Sequence, residues 1–374
     1  MAGNKQADPT RGTREKACFR LFLLLLVLTA ARAGAQSPPG IPEQTLRRVE
    51  RAITASMAKQ NVSGLSVAVV VENELRWSQG YGFADMENFV PFTATTVWRL
   101  GSISKPITAV AAMQLAEKGK LDLDAPIQSY CPAFPKKGRP ITSRQLLGHL
   151  SGIRHYRQDE NFNSTRHFDG VVDSLEVFKT DPLVHDPGAA FTYSTYGYVV
   201  LGCVIEGASG MKYADYVRDN VAKPAGMERT RPDDLASIVP NRARGYARLP
   251  SGELRNCDLA DTSNKVPGGG MVSTAVDLGR FAVALDTGRL LQRQTYEQMQ
   301  IPMKTNEGKD SPYFGWSISE RRGEKLLTHG GSQQGTSTYL LMLPGRGFAV
   351  ALIANTVQID VGELAQQLTE ILLP

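Results

Sequence analysis

Strand-forming segments sit at the two ends of this chain, and helix-forming segments fill the middle. That placement restricts the fold more than any other feature of the sequence. Near the start, Leu65–Val71 and Leu75–Gly80 read as a hairpin around Glu72-Asn73-Glu74, followed by Gly80-Tyr81-Gly82-Phe83-Ala84-Asp85. Near the end, Tyr313–Ser319, Lys325–His329, Thr336–Leu343 and Phe348–Asn355 alternate or run apolar between Gly-rich turns, as a meander of strands does. Two distant groups of antiparallel strands are most simply joined into one sheet. The expectation is an α+β fold: a mostly antiparallel sheet built from both chain ends, flanked by helices. A helical subdomain, about 120–265, is inserted, and an active site would lie in the cleft between the two parts.

The helices are marked by spacing and caps. Leu46, Val49, Ile53 and Met57 put one apolar face on a helix over 43–59. Residues 107–118 are good helix formers, and Gly119 stands where a C-terminal cap belongs. Thr142 and Gln145 are spaced as a capping box for a short helix that stops near Gly152. Residues 153–185 show little periodicity, and so long a connection is often a lid or binding loop. Asp186-Pro187-Gly188 marks a turn. Helices are expected over 197–208, closed by Gly210, and over about 212–222. A hairpin is expected around Pro250-Ser251-Gly252, then a helix from Ser273/Thr274 to about Leu285, and a last one over 360–372.

The N-terminus reads as a leader. Residues 1–20 are polar and basic, Leu21–Ala31 form an apolar run, and Ala33-Gly34-Ala35 supply small residues for cleavage before Gln36. The expectation is a signal peptide over 1–35, a single domain over 36–374, and a secreted or periplasmic product. An uncleaved anchor is the alternative, and the only route by which this chain would meet a membrane. A mitochondrial transit peptide fits less well, because of the Leu-rich core and the acids Asp8 and Glu15. The leader carries 6 Lys/Arg and 2 Asp/Glu, so the net charge of +5 falls to +1 without it. The remaining charge gives no support to nucleic-acid binding, and no basic stripe with interleaved aromatics is present. Cys131, Cys203 and Cys257 remain beyond the leader, with no Cys-x-x-Cys; three buried thiols are the simpler reading and one disulfide the other.

Chemistry concentrates at Trp98-Arg99-Leu100-Gly101-Ser102-Ile103-Ser104-Lys105-Pro106, where an apolar helix begins. Positions i and i+3 share a helix face, so Ser102 and Lys105 point into one space. A serine hydroxyl becomes a nucleophile when a base takes its proton. A neutral lysine can do so, although bringing its pKa from about 10.4 to about 7 costs on the order of 4 kcal/mol. A serine at a helix start also has a free amide and the positive end of the helix dipole for an oxyanion. Ser-x-x-Lys alone is common; Ser56-Met57-Ala58-Lys59 matches it too, and reads as helix surface.

Three motifs in chain order lift the first copy: Ser102-Ile-Ser-Lys105, Tyr193-Ser194-Thr195 and His329-Gly330-Gly331. Together they resemble the serine β-lactamase-like superfamily of class C β-lactamases, D-alanyl-D-alanine peptidases and esterases. The likeness runs through nearly all of 36–374. His149–Tyr156, Phe191–Tyr198 and Asn241–Arg244 are similar to the mitochondrial serine β-lactamase-like branch found in animals, and the leader suggests a bacterial member. The resemblance implies a β-lactamase/transpeptidase-like fold and an acyl-enzyme on Ser102. Lys105 would be the base, and Tyr193 the proton relay to the leaving group. Thr195, His329, Gly330, Gly331 and Ser332 would contact substrate, with the Ser332 amide as second oxyanion donor. No cofactor and no metal are implied, and His149 and His155 read as structural. Two departures stand out. His329 replaces the lysine that grips a substrate carboxylate, and Thr195 replaces a longer asparagine. Both weaken efficient β-lactam hydrolysis and leave acyl transfer to peptides, esters or peptidoglycan-type amides. A non-catalytic binding or filament-forming protein on the same fold is the other reading, with self-association as its partner chemistry.

Overall fold

A computed structural model describes residues 40–157 and 163–373. The leader expected over 1–35 lies outside these residues. Both chain ends do build one sheet. Its strands are β1 (Gly64–Val71), β2 (Glu74–Asp85), β3 (Val90–Pro91), β4 (Ser317–Arg321), β5 (Glu324–Gln333), β6 (Thr336–Leu343) and β7 (Phe348–Ala354). They lie in the order β4-β5-β6-β7-β1-β2-β3, every neighbour antiparallel. The seam between the chain ends is β1 against β7, with Ala68 opposite Ala351. The first hairpin turns through Glu72 and Asn73, both at positive φ (54° and 59°), the pair that a two-residue type I′ turn requires.

The sheet is buried on both faces, and its period of two sorts the side chains. Leu65, Val67, Val69, Leu341, Leu343, Val350 and Leu352 point to one side, under helices α1 (Glu43–Gln60) and α6 (Val361–Leu372). Ala68, Val70, Leu340, Met342, Ala349, Ala351 and Ile353 point to the other. There they meet α5 (Ala275–Asp286), whose Gly279 sits so close that a Cβ would lie 3.0 Å from Leu75 Cδ1. Behind it runs α2 (Ser104–Glu117), buried around nearly its whole circumference, as befits a helix at the centre of a large core.

The middle of the chain covers the second face. It holds α3 (Ser143–Leu147), α4 (Thr195–Ser209), a helical stretch over 213–225 and the short hairpin Tyr246–Arg248/Leu254–Asn256. The expected capping box forms: the Thr142 side chain accepts the Gln145 amide, and Gln145 Oε1 accepts that of Thr142. The expected regular helix over 212–222 does not. It runs as α-helix from Tyr213 to Val217 and widens to a π-turn at Arg218–Ala222. The reason is local: Pro224 has no amide to give the Asn220 carbonyl, which instead accepts Gln114 Nε2 at 2.9 Å. The strand expected at Tyr313–Ser319 begins only at Ser317, because the chain reverses at Gly315 (φ 87°) and buries Phe314 and Trp316 in the core. Three buried thiols were the simpler reading of the cysteines; instead Cys131 and Cys203 form a disulfide, and among the described residues Cys257 alone is free.

Candidate active site

Ser102 is placed by a chain of anchors. Trp98–Arg99 pairs with Met271–Ser273, and the Leu100 amide donates to Met271 O at 2.8 Å. The Arg99 guanidinium is buried and paired with Asp233 at 2.8 Å. The backbone then turns through Gly101 (φ 54°) into a single tight turn, Gly101–Ile103, and on into α2. Ser102 stays partly exposed, while Lys105 is wholly buried one turn on. The Lys105 amine has three oxygen partners: Ser102 Oγ at 3.1 Å, Thr195 Oγ1 at 3.0 Å and Gly268 O at 2.6 Å. Burial holds its pKa well below the usual lysine value, and the charge of Lys265 adds to the effect. An amine whose hold on its proton is weakened, beside a serine hydroxyl, is the better equipped to deprotonate it.

Two glycines bring β5 against this corner. A Cβ on Gly101 would lie 2.7 Å from Ser332 N; one on Gly331 would lie 2.1 Å from Leu100 O and 3.1 Å from Ser102 N. No other residue fits at either point, and the contact places the Ser102 and Ser332 amides at one corner of the cleft. Strand β4 pairs with β5 only as far as Thr328, so His329–Gln333 extend past the end of their outer neighbour. A cleft of ≈ 540 Å³ opens here, from Ser102, Thr195 and His155 across Gly330 and Gly331 to Asp360 at the start of α6.

Tyr193 and Thr195 arrive on the lead-in to α4. Ser194 caps that helix by accepting the Gly197 amide at 2.8 Å. The amides of Ser194 and Thr195 donate to His149 Nδ1 (3.1 Å) and His155 Nδ1 (3.2 Å). These imidazoles therefore hold the start of the helix in place. Burial pushes both pKa values down, His155 to about 4. The Tyr193 ring centroid lies 4.7 Å from Lys105 Nζ. Burial raises the Tyr193 pKa; the nearby Ser102 hydroxyl opposes this, and Tyr313 adds to it.

His329 is buried among aromatic rings, with centroids 5.9 Å from Tyr313 and 6.3 Å from Tyr193. Its Nδ1 donates to Gly330 O at 2.7 Å. Burial, then the nearby Lys105 amine, takes its pKa down to about 3. At neutral pH it is an uncharged wall of the site. Thr195 Oγ1 is bound to Lys105, so this side chain serves the base as well as the cleft.

All the motif residues thus converge: Ser102, Lys105, Tyr193, Thr195, His329, Gly330, Gly331 and Ser332 meet at one cleft. Ser56 and Lys59 do not; they lie on α1, with the Lys59 side chain 74% exposed. Motif reasoning missed Tyr156, Gln333 and Asp360, which line the cleft, and Lys265 and Tyr313 beside it. Tyr156 ends a segment read only for its likeness, Tyr313 opens a segment read only as strand, and no motif marks Gln333, Asp360 or Lys265.

The Beta-lactamase family model matches residues 49–371. The human "Serine beta-lactamase-like protein LACTB, mitochondrial" is 30% identical, over 81% of this chain and 75% of that one. "Penicillin-binding protein 4*" of Bacillus subtilis is 28% identical, over 80% and 69%. Among solved structures, the "octameric penicillin-binding protein homologue from Pyrococcus abyssi" superposes with a TM-score of 0.76 at 26% identity, over 88% of this chain and 77% of that one. The chain belongs to the beta-lactamase family, a family of serine hydrolases. Within it, the likeness to LACTB and the penicillin-binding proteins puts the chain in the serine β-lactamase-like superfamily.

Proposed function

We propose that the protein is a serine acyl hydrolase forming an acyl-enzyme on Ser102. Peptides, esters and peptidoglycan-type amides are its substrate classes, and it works outside the cytoplasm after loss of residues 1–35. The observation that carries the chemistry is the buried Lys105 amine 3.1 Å from Ser102 Oγ. The free amine takes the hydroxyl proton as Oγ attacks the carbonyl. The amides of Ser102 and Ser332 hold the resulting oxyanion. Tyr193, whose ring lies against the Lys105 amine, passes the proton to the departing group. Lys105 and Tyr193 share their protons as a coupled pair. Water then attacks the ester on Ser102, activated by the same pair.

The neutral His329 argues for substrates with no carboxylate beside the scissile bond. A cation there would gain a charge-assisted hydrogen bond from an anionic substrate, whereas an uncharged imidazole gains much less. The test is a comparison of kcat/KM for neutral p-nitrophenyl esters and amino-acid amides against benzylpenicillin, in the wild type and in His329→Lys. The wild type is expected to favour the neutral compounds. The substitution is expected to move the ratio toward the penicillin by about tenfold, the worth of roughly 1.4 kcal/mol. A wild type that cleaves penicillin as readily as the esters contradicts this substrate assignment.

A further inference from the structure

We infer that Phe191 and Tyr313 form an aromatic subsite for the leaving group, so that the protein favours esters and amides whose departing alcohol or amine carries an aromatic ring. The inference rests on the serine hydrolase reading above, with Tyr193 on the leaving-group side of Ser102.

Two distant segments build this wall around one imidazole. His149 is buried, with its backbone at positive φ (56°). Its carbonyl accepts the Thr192 amide at 2.8 Å, which fixes the residue between Phe191 and Tyr193. The His149 ring centroid lies 4.4 Å from that of Tyr193, 5.3 Å from Tyr313 and 5.9 Å from Phe191. Tyr313 comes from the second segment, ahead of the reversal at Gly315. There the Phe314 amide donates to Trp316 O at 3.1 Å, and the Ile318 amide to Pro312 O at 2.8 Å. The reversal sends Phe314 and Trp316 into the core and leaves Tyr313 partly exposed.

The rings run on without a break from the reacting groups. The Tyr193 ring, 4.7 Å from Lys105 Nζ, lies 5.9 Å from Tyr313 at an interplanar angle of 71°. Tyr313 in turn stacks on Phe191 at 5.5 Å, with the planes 28° apart. Phe191 keeps 38% of its surface in solvent, and Tyr193 and Tyr313 are partly exposed beside it. A single exposed apolar side chain is ordinary; a stacked pair joined to the proton relay is a contiguous surface that a substrate can cover. A flat apolar group laid on it gains buried area and the offset or edge-on contacts that rings prefer. Neither Phe191 nor Tyr313 lines the arm of the cleft that runs to Gln358 and Asp360, so the wall offers a second direction out of the site. Tyr193 assigns that direction: the group that hands its proton to the departing atom also begins the wall.

The test compares kcat/KM for the acetate esters of ethanol, 2-phenylethanol, 3-phenylpropanol and 4-phenylbutanol, which share an acyl group and differ in what departs. In each, the acetyl carbon bonds to Ser102 Oγ, its bond to the alcohol oxygen breaks, and the alcohol leaves with the proton that Ser102 gave up. The wild type is expected to favour the best phenylalkyl ester over ethyl acetate by about tenfold or more. Phe191→Ala and Tyr313→Ala are each expected to cut that ratio by about fivefold, and Tyr313→Phe, which keeps the ring, to hold it. A wild type that labels with a fluorophosphonate yet shows no such preference overturns the inference. So does a folded Phe191→Ala protein that loses rate on all four esters alike, with the ratio unmoved. Phe191 is exposed, so that variant decides if Tyr313→Ala does not fold. Failure of the wild type to label at all would instead remove the hydrolase reading on which the inference stands.

Discussion

At the scale of single residues, the site is built from groups that a folded chain would otherwise avoid. Lys105 is a wholly buried amine, and burying an amine costs stability unless it gives up its proton. The folded chain binds that proton less readily than the unfolded one, so Lys105 makes stability rise with pH between its lowered pKa and about 10.4. Lys105→Met is expected to melt at a higher temperature than the wild type at pH 7, with the difference shrinking as pH approaches 10. Ser102 acylation should fall by roughly 10²–10⁴. Melting curves at both pH values, beside labelling rates, check both statements. A variant that acylates within a few-fold of wild type would take Lys105 out of the proton path. The glycines follow the same logic. Gly101 and Gly331 give up side chains so that a strand can touch the start of a helix.

At the scale of elements, what was local in the chain was legible and what was not local was hidden. Glu72-Asn73 announced a turn, and Thr142 with Gln145 announced a cap, because each signal is complete within four residues. The π-turn at Arg218–Ala222 starts from Pro224, but the Asn220 carbonyl that Pro224 leaves open is taken by Gln114 from another helix, a partner that no local pattern shows. The disulfide escaped in the same way, since Cys131 and Cys203 are 72 residues apart. It fixes α4 where that helix packs most tightly: a Cβ on Gly207 would lie 1.7 Å from Tyr130 O. Closing so long a loop should stabilise the fold by about 2–4 kcal/mol. The double variant Cys131→Ala/Cys203→Ala is therefore expected to unfold at lower denaturant. Its Ser102 labelling at 25 °C should stay within a few-fold, because Cys203 lies about 12 Å along the helix from Thr195. Denaturation midpoints read this directly, and an unchanged midpoint would show that the bridge carries no stability.

At the scale of the whole molecule, the architecture was readable because strand patterns at both chain ends leave few ways to bury them. Joining β1 to β7 makes the first and last parts of the chain one sheet. The same joining delivers Ser332 from the C-terminal strands to Ser102 at the head of α2. Tyr193 and Thr195 come from the helical middle. The motifs named the members of the site; only the assembled fold shows which further residues line it, Tyr156, Gln333 and Asp360 among them. The account's central claim is that this assembly activates Ser102. The most direct measurement is the intact mass of the purified protein, residues 36–374, after incubation with a fluorophosphonate, beside its Ser102→Ala variant. The account predicts one adduct on the wild type and none on the variant. A folded wild type that stays unmodified, or a variant that labels equally well, would contradict it.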